Sequence, residues 1–477
     1  MHDGPSGRDE AGRIVYCRPA VTATTESPET SQTSAGAYTV GELRGWTRYG
    51  NLMAFMAEPA GFLRRIAAAG DLVWLRMPGE TTVVLRHPAL IEQVLVSKNR
   101  SFVKDRQTHG LREVVGNGLL VSEGEFWRRQ RRMAQPAFHR ERIHRHAAGV
   151  VAAGERATAT WREGQVIDVH AAMMDLAREV VATTLLSSEV GRAAEDLGAA
   201  LEVVMARYSD WRYALLPGLA RVAALPDNRR FAAARARLVA VVDGIIDERR
   251  RSGTDRGDLL SMLLAARDED GSQMSDEQLR DEVTILFMAG HETTALALSW
   301  AFVLLGRRPG AWARLGAEVD AVLAGRPASA ADLGRLVYTE AVILETMRLY
   351  PPAWSIGREA LEDVEIGGVP LARGTQVWMF QWSSHRDSRC FPRPLAFEPE
   401  RWEDGLLQRL PRGAYFPFGG GPRLCIGNNF AMLEAVLLLA TIAQRWRPQV
   451  AQSDVPRPQF SITLRPRGGV RATLRRR

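Results

Sequence analysis

Cysteine chemistry is the first possibility that this sequence raises, in the segment FPFGGGPRLCIGNN. Cys425 is one of 3 cysteines in 477 residues, and three consecutive glycines stand shortly before it. Glycines leave backbone N–H groups able to point at the sulfur and let a flat ligand approach closely. A helix that begins just after Cys425 and the nearby Arg423 should both lower the thiol pKa and favour thiolate. The alternative is an inert buried cysteine, the commoner role of this residue, which leaves these surroundings unexplained.

A single thiolate limits the kind of metal centre that the chain can hold. Cys17 and Cys390 are far from Cys425 in the sequence, so neither a four-cysteine site nor a disulfide framework is available. A structural zinc site needs four protein ligands, and an iron–sulfur cluster needs several cysteines. A haem iron needs only one axial thiolate from the protein. Cys425 can therefore be the axial ligand of a haem.

The same segment resembles the F-x-x-G-x-R-x-C-x-G pattern of the haem-thiolate monooxygenases, the cytochrome P450 family. The residues at its fixed positions are Phe418, Gly421, Arg423, Cys425 and Gly427. The resemblance implies haem b with the Cys425 thiolate as the ligand of its iron, O₂ as the oxidant, and two electrons from NAD(P)H. Because no flavin or ferredoxin domain follows in the sequence, we expect these electrons to arrive through a ferredoxin and a ferredoxin reductase, or a similar external donor.

The sequence ETMR resembles the E-x-x-R motif of the same family. Glu345 and Arg348 are three residues apart, so they share one face of a helix and can form an ion pair. With Arg401 of PERW they resemble the structural triad of the family. By this resemblance the triad locks a Pro-rich meander, residues 391–411, against the core. A solvated surface pair is the usual alternative at such a spacing. The apolar neighbours favour a buried network here.

The sequence FWRRQRR places an aromatic and a basic residue one helical turn apart. Trp127 and Arg131 are at positions i and i+4, so both can reach the same anionic group. By resemblance to the W-x-x-x-R motif of the family, they would bind the haem propionates together with Arg358 and Arg423. The remaining arginines form either a solvated basic face or, as a hypothesis, a docking surface for an acidic electron donor. They are Arg128, Arg129 and Arg132.

The segment AGHETTA resembles the A-G-x-E/D-T-T motif with which the family activates oxygen. The catalytic residues that it implies are Ala289, Gly290, Glu292 and Thr293. We expect Gly290 to make room for a diatomic ligand, and the Thr293 hydroxyl to bond a carbonyl one turn back and kink the helix. By the resemblance, Thr293 holds the bound oxygen and its water, and Glu292 relays protons from solvent. Packing roles are predicted for His291 and Thr294.

A neutral hydrophobic substrate is expected, because the segments that resemble the substrate pocket of the family are mainly apolar. The pocket residues that the resemblance implies are Leu286, Ala289, Trp354, Ile356 and Ile462. The loop at 212–231 resembles that of soluble bacterial terpene hydroxylases, which favours hydroxylation or epoxidation of a terpenoid in secondary metabolism. The alternatives are a fatty-acid or polyketide hydroxylase and a haem-thiolate protein without monooxygenase activity. Glu292 and Thr293 argue against the last, which needs no external proton relay.

The elements that must position these residues are mainly helices. Helical patterns follow one another from about residue 124 to 350, and a run capped by Ser275 stays apolar for about thirty residues to Gly306. A helix so apolar must cross the centre of the protein. Hairpin patterns at 71–88 and 365–380 predict a small sheet. The expected class is therefore mainly α with a minor β-sheet region (α+β), and by resemblance the cytochrome P450 fold.

Composition bounds the organisation and the partners. Residues 1–38 are rich in Ser, Thr, Glu and Gly and are predicted to be a disordered tail, whereas 39–477 should form a single large domain. The net charge of +7 permits an anionic partner, but without a nucleic-acid-binding motif we expect no nucleic acid. The sequence has no signal-peptide pattern and no run of 18 apolar residues. We therefore expect a soluble cytoplasmic monomer without a membrane span.

Overall fold

Helices dominate the structure, a computed structural model that describes residues 30–35, 38–45, 49–186, 191–208, 210, 212–213, 218–219, 222 and 224–477. About 58% of it is helical, which confirms the expected mainly α class with a minor sheet region. The long helices span Pro59–Ala69, Gly124–Ala134, Ala147–Ala159, Val169–Leu186, Gly191–Tyr208, Pro226–Ser252, Asp276–Gly306, Pro309–Leu323, Val337–Leu349 and Asn428–Ala443. Shorter α-helices span Leu52–Ala57, Pro88–Glu92, Arg106–Gly110, Arg112–Val115, Arg140–Arg145, Leu259–Ala265, Gln381–Ser384 and Leu406–Arg409. A π-helical turn spans Gln93–Ser97. Short 3₁₀-helices span Asn99–Ser101, Gln135–Phe138, Ala330–Arg335, Pro399–Trp402, Gly421–Arg423 and Gln452–Asp454.

The strands form one larger and three small sheets. They are β1 Thr30–Ala35, β2 Tyr38–Leu43, β3 Leu72–Met77, β4 Glu80–Leu85, β5 Phe102–Lys104, β6 Val166–Asp168, β7 Ile356–Ala360, β8 Val364–Ile366, β9 Val369–Leu371, β10 Gln376–Met379, β11 Trp446–Gln449, β12 Pro458–Phe460, β13 Leu464–Pro466 and β14 Arg471–Arg476. The seven-stranded sheet has the order β1-β2-β3-β4-β10-β7-β5, and the small sheets are β11-β14-β6, β12-β13 and β8-β9. The hairpins predicted from sequence are therefore confirmed as β3–β4 and β8–β9.

The N-terminal edge of the large sheet differs from the predicted boundary. Strand β1 pairs antiparallel with β2, with Ala35 opposite Tyr38. Residues 30–35 thus lie within the segment that was predicted to be a tail, because backbone pairing along an open sheet edge needs no apolar side chains. The preceding part of the predicted tail lies outside the described residues.

The central helix, Asp276–Gly306, confirms the predicted long crossing helix. Its start is fixed by a capping box: Ser275 Oγ accepts from the Gln278 N–H at 3.2 Å, and the Ser275 N–H donates to Gln278 Oε1 at 2.9 Å. Its side chains are buried over most of its length, and it packs against the helices Val169–Leu186, Val337–Leu349 and Asn428–Ala443. The central helix therefore passes beside the helix that follows Cys425.

Candidate active site

The cysteine loop, residues 416–427, is closed by its own backbone. The Cys425 N–H donates to the carbonyl of Phe418 at 3.0 Å, and the Gly427 N–H donates to the Cys425 sulfur. Phe418 packs against the largest cluster of buried apolar residues, whereas the Cys425 side chain is exposed. The helix Asn428–Ala443 begins three residues after Cys425. The loop therefore presents an accessible thiol near the start of a helix, as the sequence predicted.

One glycine of the loop is required by its packing. Gly421 has φ 64°, and an added Cβ would lie 1.9 Å from the carbonyl oxygen of Leu95. Its missing side chain therefore lets the loop lie directly against the turn Gln93–Ser97. Gly419 has φ 78°, a backbone conformation that favours glycine. That the glycines also serve the sulfur and a flat ligand stays a prediction.

Burial raises the pKa of the Cys425 thiol in the protein alone. The opposing effects are the Gly427 N–H and the positive charges of Arg131 and Lys104, and they do not overcome it. The prediction that the pKa of the Cys425 thiol is lowered is therefore wrong for the protein alone. Burial costs the thiolate more hydration free energy than the N–H group and the two cations restore. The side chain is accessible to water, yet the protein around it is dense enough to have this effect. Coordination to a metal ion deprotonates a thiol outright.

The aromatic and basic residues predicted to surround an anion lie beside the loop. The Arg423 Cζ is 3.9 Å from the ring centroid of Trp127, and Arg423 also pairs with Glu123. Arg131 donates from Nη1 to the Leu424 carbonyl at 2.9 Å. Desolvation lowers the pKa of Arg423 to about 10. The structure thus brings Trp127, Arg131 and Arg423 together around the cysteine.

A fourth cation, which the sequence did not predict, joins this group. Lys104 in β5 lies directly opposite Arg358 in β7, so the two side chains leave the same face of the sheet. Burial, together with the charges of Arg358 and Arg423, lowers the pKa of Lys104 to about 7. Arg358 itself is buried, and burial lowers its pKa. The local sequence predicted neither the strand containing Lys104 nor its register, because pairing with a strand some 250 residues later is a long-range property.

These cations fit a ligand that carries carboxylates beside a flat ring. Nη1 of Arg423 is buried and has no hydrogen-bonding partner among the described residues, and like charges opposite each other in a sheet are destabilising. Within the described ranges, no three His, Cys, Asp or Glu side chains are grouped as a metal site would need. The possibility that is left is a metal centre with a single protein ligand. The residues therefore fit a haem whose iron is bound by Cys425. The cations available for its propionates are Lys104, Arg131, Arg358 and Arg423.

The buried network predicted for ETMR and PERW is present. Arg348 donates from Nε and Nη2 to the two carboxylate oxygens of Glu345, each at 2.8 Å, and both side chains are 0% exposed. Glu345 also accepts from Arg401 Nε at 3.1 Å, from Trp402 Nε1 at 2.9 Å and from the Glu398 N–H at 2.9 Å. The solvated surface pair is thereby excluded. Arg348 further donates to carbonyls of the segment before the cysteine loop, those of His385, Pro394 and Ala396.

Thr293 lies on the least buried face of the central helix. Its Oγ1 donates to the carbonyl of Ala289 at 2.7 Å, as predicted, and Ala289 is exposed. The helix is nevertheless continuous from Asp276 to Gly306. The bond from Thr293 therefore does not interrupt the helix, because a carbonyl has a second lone pair and can accept the hydroxyl without giving up its helical bond. The kink at this position stays a prediction.

Gly290 faces a neighbouring helix. An added Cβ would lie 2.8 Å from Cγ2 of Val181, in the helix Val169–Leu186. The missing side chain of Gly290 thus lets the two helices approach. Its role in making room for a diatomic ligand stays a prediction. His291 is buried, with Nδ1 2.7 Å from the Phe287 carbonyl, which fits the predicted packing role.

Thr294 connects the central helix to the helix that follows the cysteine. Its Oγ1 donates to Oε2 of Glu434 at 2.9 Å, and Glu434 is 0% exposed. Oε1 of Glu434 is buried without a partner. Burial raises the pKa of Glu434 to about 8, so this side chain is mainly a neutral acid at pH 7. Thr294 therefore has the packing role predicted for it, with a partner that the sequence did not indicate.

Glu292 is held by residues from the far end of the chain. Its Oε1 accepts from Thr463 Oγ1 at 2.5 Å and from Arg465 Nε at 2.6 Å. Glu292 is 4% exposed. Its two partners lie 171 and 173 residues further along the sequence, and no local pattern connects them to the motif. The proton-relay role of Glu292 stays a prediction, and the ion pair adds Arg465 to the site.

Trp354 departs from its predicted place in the substrate pocket. Its side chain is only 7% exposed, and its Nε1 donates to the carbonyl of Ser461 at 2.7 Å. Its ring stacks on Phe55 and on Phe380, with centroid distances of 5.9 and 5.7 Å. The prediction that Trp354 lines the pocket is therefore wrong, because its polar atom and both neighbouring rings are engaged within an aromatic cluster.

The other predicted pocket residues keep accessible side chains. Leu286 and Ile462 pack against the same cluster of buried apolar residues, as does Ile426 next to the cysteine, whereas Ile356 packs against a different one. Leu286 and Ile462 thus both border this cluster, and their contact with substrate stays a prediction. The loop at 212–231 lies partly outside the described residues.

The predicted docking arginines on the helix Gly124–Ala134 form ion pairs within the chain. Arg128 pairs with Glu125. Arg129 Nε and Arg132 Nη2 both contact the carboxylate of Asp268, at 2.9 and 2.7 Å. The three arginines predicted to dock an acidic donor are therefore engaged by acidic neighbours of the same chain.

One accessible thiol, held by backbone beside buried cations and next to a long apolar helix, is the arrangement of a haem-thiolate protein. Residues 41–470 match the family model described as Cytochrome P450. The chain belongs to the cytochrome P450 family.

Three relatives come from Streptomyces. The chain is 42% identical over 423 residues to cyclooctatin synthase of Streptomyces melanosporofaciens, covering 87% of this chain and 92% of that protein. It is 40% identical over 403 residues to cyclooctat-9-en-7-ol 5-monooxygenase of the same organism, covering 83% and 87%. It is 37% identical over 417 residues to pentalenene oxygenase of Streptomyces avermitilis, covering 87% and 92%.

Membership of this family defines the chain as a P450 monooxygenase. Its cofactor is haem with a cysteine thiolate ligand, its oxidant is O₂, and its electrons come from NAD(P)H through external donors. Its substrate is a hydrophobic small molecule. None of the helices in the described ranges has the length and apolar character that a membrane crossing requires.

Proposed function

We propose that this monooxygenase hydroxylates or epoxidises a terpenoid in bacterial secondary metabolism. The observation that supports this most strongly is its similarity, along more than four-fifths of the chain, to enzymes named for cyclooctat-9-en-7-ol and for pentalenene. The apolar surroundings of Leu286 and Ile462 agree with such a substrate. A terpenoid offers mainly C–H and C=C groups, which an apolar pocket can hold by shape.

The net reaction takes up one O₂, two electrons and two protons, places one oxygen atom in the substrate and releases the other as water. When bound, haem supplies the binding and cleavage of O₂. We assign Thr293 to holding a water near the bound oxygen, since its hydroxyl donates to Ala289 and its oxygen remains free to accept. We assign Glu292 to supplying protons, because it is a carboxylate within the same helical turn.

Cys425 is assigned as the ligand of the haem iron. Its thiol is accessible, and the Gly427 N–H donates to the sulfur. Lys104, Arg358 and Arg423 are assigned to the propionates, because together they form a buried group of positive charges in which Arg423 Nη1 lacks a partner. Such an anchored ring would lie against the cysteine loop.

The electron donor is proposed to be a ferredoxin served by a ferredoxin reductase. In support, monooxygenases of this family need external electron donors. We further propose that the enzyme works as a monomer in the cytoplasm. In support, one chain carries all the residues assigned above, and the two cysteines within the described ranges are both free thiols, as expected in a reducing compartment.

The test uses the full chain loaded with haem. Reduced protein treated with CO should show the red-shifted absorption of a thiolate-bound haem, and Cys425→Ala should not. Turnover is then measured with NADPH, a ferredoxin, its reductase and ¹⁸O₂ against pentalenene, cyclooctat-9-en-7-ol, a fatty acid and a polyketide macrolactone.

A terpenoid product that carries one ¹⁸O atom supports the proposal. Conversion of the fatty acid or the macrolactone alone would replace it with one of the alternative substrate classes. A thiolate spectrum without any oxygenated product from the panel would contradict the terpenoid assignment while leaving the cofactor assignment intact.

A further inference from the structure

Glu292 is held by one short segment, the relay turn, residues 461–465. Thr463 and Arg465 both bind its Oε1, whereas Oε2 has no hydrogen-bonding partner in the part of the chain that the structure describes. The Arg465 side chain is 32% exposed and that of Glu292 is 6% exposed. The ion pair therefore reaches from a buried carboxylate to solvent, and it engages only one of the two carboxylate oxygens.

The relay turn also reaches the apolar region next to the central helix. Ile462 packs against the apolar cluster that Leu286 joins from the central helix. The neighbouring residue in the chain, Thr463, donates to Glu292. A molecule that contacts Ile462 therefore lies one residue along the chain from a side chain that holds the carboxylate.

Two indole groups fix the ends of the relay turn. Trp354 Nε1 donates to the Ser461 carbonyl at 2.7 Å, and Trp300 Nε1 donates to the Leu464 carbonyl at 2.9 Å. Both tryptophans are buried. Because both ends of the turn are held, we expect a displacement of Ile462 to move the neighbouring side chains of the turn and not the flanking backbone.

We propose that Arg465 is a positioning residue for Glu292, and that the relay turn couples substrate occupancy at Ile462 to the delivery of protons by Glu292. This inference rests on the proposed function, in which Glu292 supplies the two protons of each turnover. Arg465 and Thr463 hold Oε1 of this buried carboxylate. A substrate that displaces Ile462 would loosen these bonds and free the carboxyl group to move.

Arg465 is the charged group in direct contact with the carboxylate of Glu292. Its guanidinium donates a charge-assisted hydrogen bond, which fixes the direction of the carboxylate. The other titratable neighbours are His170 and His291, and burial lowers the pKa of both, so they are mainly neutral at pH 7. The remaining charged groups that act on these two histidines are Asp168 and Arg178.

The proton balance requires no further reactant. Glu292 first accepts a proton from water at the side where Arg465 is exposed and then passes it inward, so its charge is restored after each transfer. Two such transfers, with two electrons from NADPH, convert O₂ and substrate into the oxygenated product and water. Arg465 gains and loses no proton.

The first test measures the carboxylate directly, without turnover. The infrared band of Glu292 is assigned in the haem-loaded protein by its loss in Glu292→Gln. Arg465→Gln should shift this band, because a charged hydrogen-bond donor has been removed, whereas Arg465→Lys should shift it less. Arg467→Gln is the matched control, since it lies two residues further on and is exposed, and it should leave the band unchanged.

The second test measures coupling with cyclooctat-9-en-7-ol as the probe. In Arg465→Gln, the product formed per NADPH consumed should fall about tenfold and the solvent deuterium isotope effect should change, since proton transfer contributes about 10²-fold or more to such reactions. The KM for the probe should stay within about twofold. Arg465→Lys should recover part of the loss, and Arg467→Gln should match the wild type.

Several outcomes would overturn the inference. One is an infrared band of Glu292 that Arg465→Gln leaves in place. Another is a loss of coupling in Arg467→Gln equal to that in Arg465→Gln, which would indicate a general disturbance of the hairpin. Absence of product from the wild type would instead contradict the proposed function, and the infrared comparison would still decide the role of Arg465.

Discussion

Lys104 and Arg358 stand directly opposite each other in the β5–β7 pair, two cations on one face of a sheet. Desolvation lowers the pKa of both, and Arg423 adds a third positive charge nearby. Such a group destabilises the protein alone, because like charges meet in a poorly hydrated place. A ligand with two negative charges would replace this repulsion between cations with a net attraction.

Lys104→Met should therefore weaken haem binding and stabilise the haem-free protein. We expect about a tenfold loss of haem affinity at pH 7, equivalent to about 1.4 kcal/mol. The folded pKa of Lys104 is about 7 against an ordinary 10.5, so the unfolded chain binds the extra proton between these values and stability rises with pH there. Haem titration and thermal unfolding of the haem-free protein from pH 6 to 10 measure both effects. A wild-type curve parallel to that of Lys104→Met would contradict the assignment.

Thr293→Ala should separate electron consumption from product formation. The variant keeps the helix, since alanine is the best helix former, but it loses the hydroxyl that the Ala289 carbonyl orients. We expect product per NADPH to fall about tenfold while haem content stays the same. Thr293→Ser keeps the hydroxyl and should retain most of the coupling. Equal coupling in all three proteins would remove Thr293 from the reaction.

Glu434→Gln should change how stability depends on pH. The folded pKa of Glu434 is about 8 against an ordinary 4.5, so the folded state binds the extra proton between these values and its stability falls as pH rises through them. The glutamine keeps an acceptor for the Thr294 hydroxyl and carries no charge. The variant should therefore gain stability relative to the wild type as pH rises from 5 to 9. Thermal unfolding at both ends of this range measures the difference, and a constant difference would show that Glu434 is ionised throughout.

Glu345→Gln should destabilise the fold by about 3–5 kcal/mol, because it leaves the fully buried Arg348 without its counter-charge. Urea unfolding measures the loss. Glu340→Gln, in the same helix but exposed, is the control and should cost less than about 0.5 kcal/mol. Similar losses in the two variants would mean that the network of Glu345 is energetically unimportant.

Gly290→Ala should destabilise the protein through helix packing. The added methyl group meets Val181 at 2.8 Å, and such overpacking costs about 1–3 kcal/mol. Val181→Ala should cost stability alone but recover part of the loss in the double variant, since the two changes are complementary. Urea unfolding of the four proteins gives the coupling energy. Additive losses would contradict the packing role.

Local patterns predicted the parts of the site that are close in sequence. The Cys425 loop, the pair of Glu345 and Arg348 and the bond from Thr293 to Ala289 each lie within a few residues, so spacing on a helix or loop determines their geometry. The central helix was equally predictable, because its cap and its apolar run are both continuous in the sequence.

The remainder depends on contacts between distant segments. Gly290 and Gly421 were interpreted through a ligand, whereas their close neighbours are Val181 and the backbone of Leu95. The register that joins Lys104 to Arg358 and the turn that brings Arg465 to Glu292 arise from the packing of strands far apart in the chain. The spacing of residues in a single sequence gives no information about such distant neighbours.

The hydrogen bond between Thr294 and Glu434 has a consequence for cofactor insertion. One partner belongs to the helix that carries the oxygen motif and the other to the helix that follows the iron ligand. A direct tie between them holds these two helices together at this point without help from a cofactor. The apoprotein is therefore expected to take up haem with little rearrangement of these two helices.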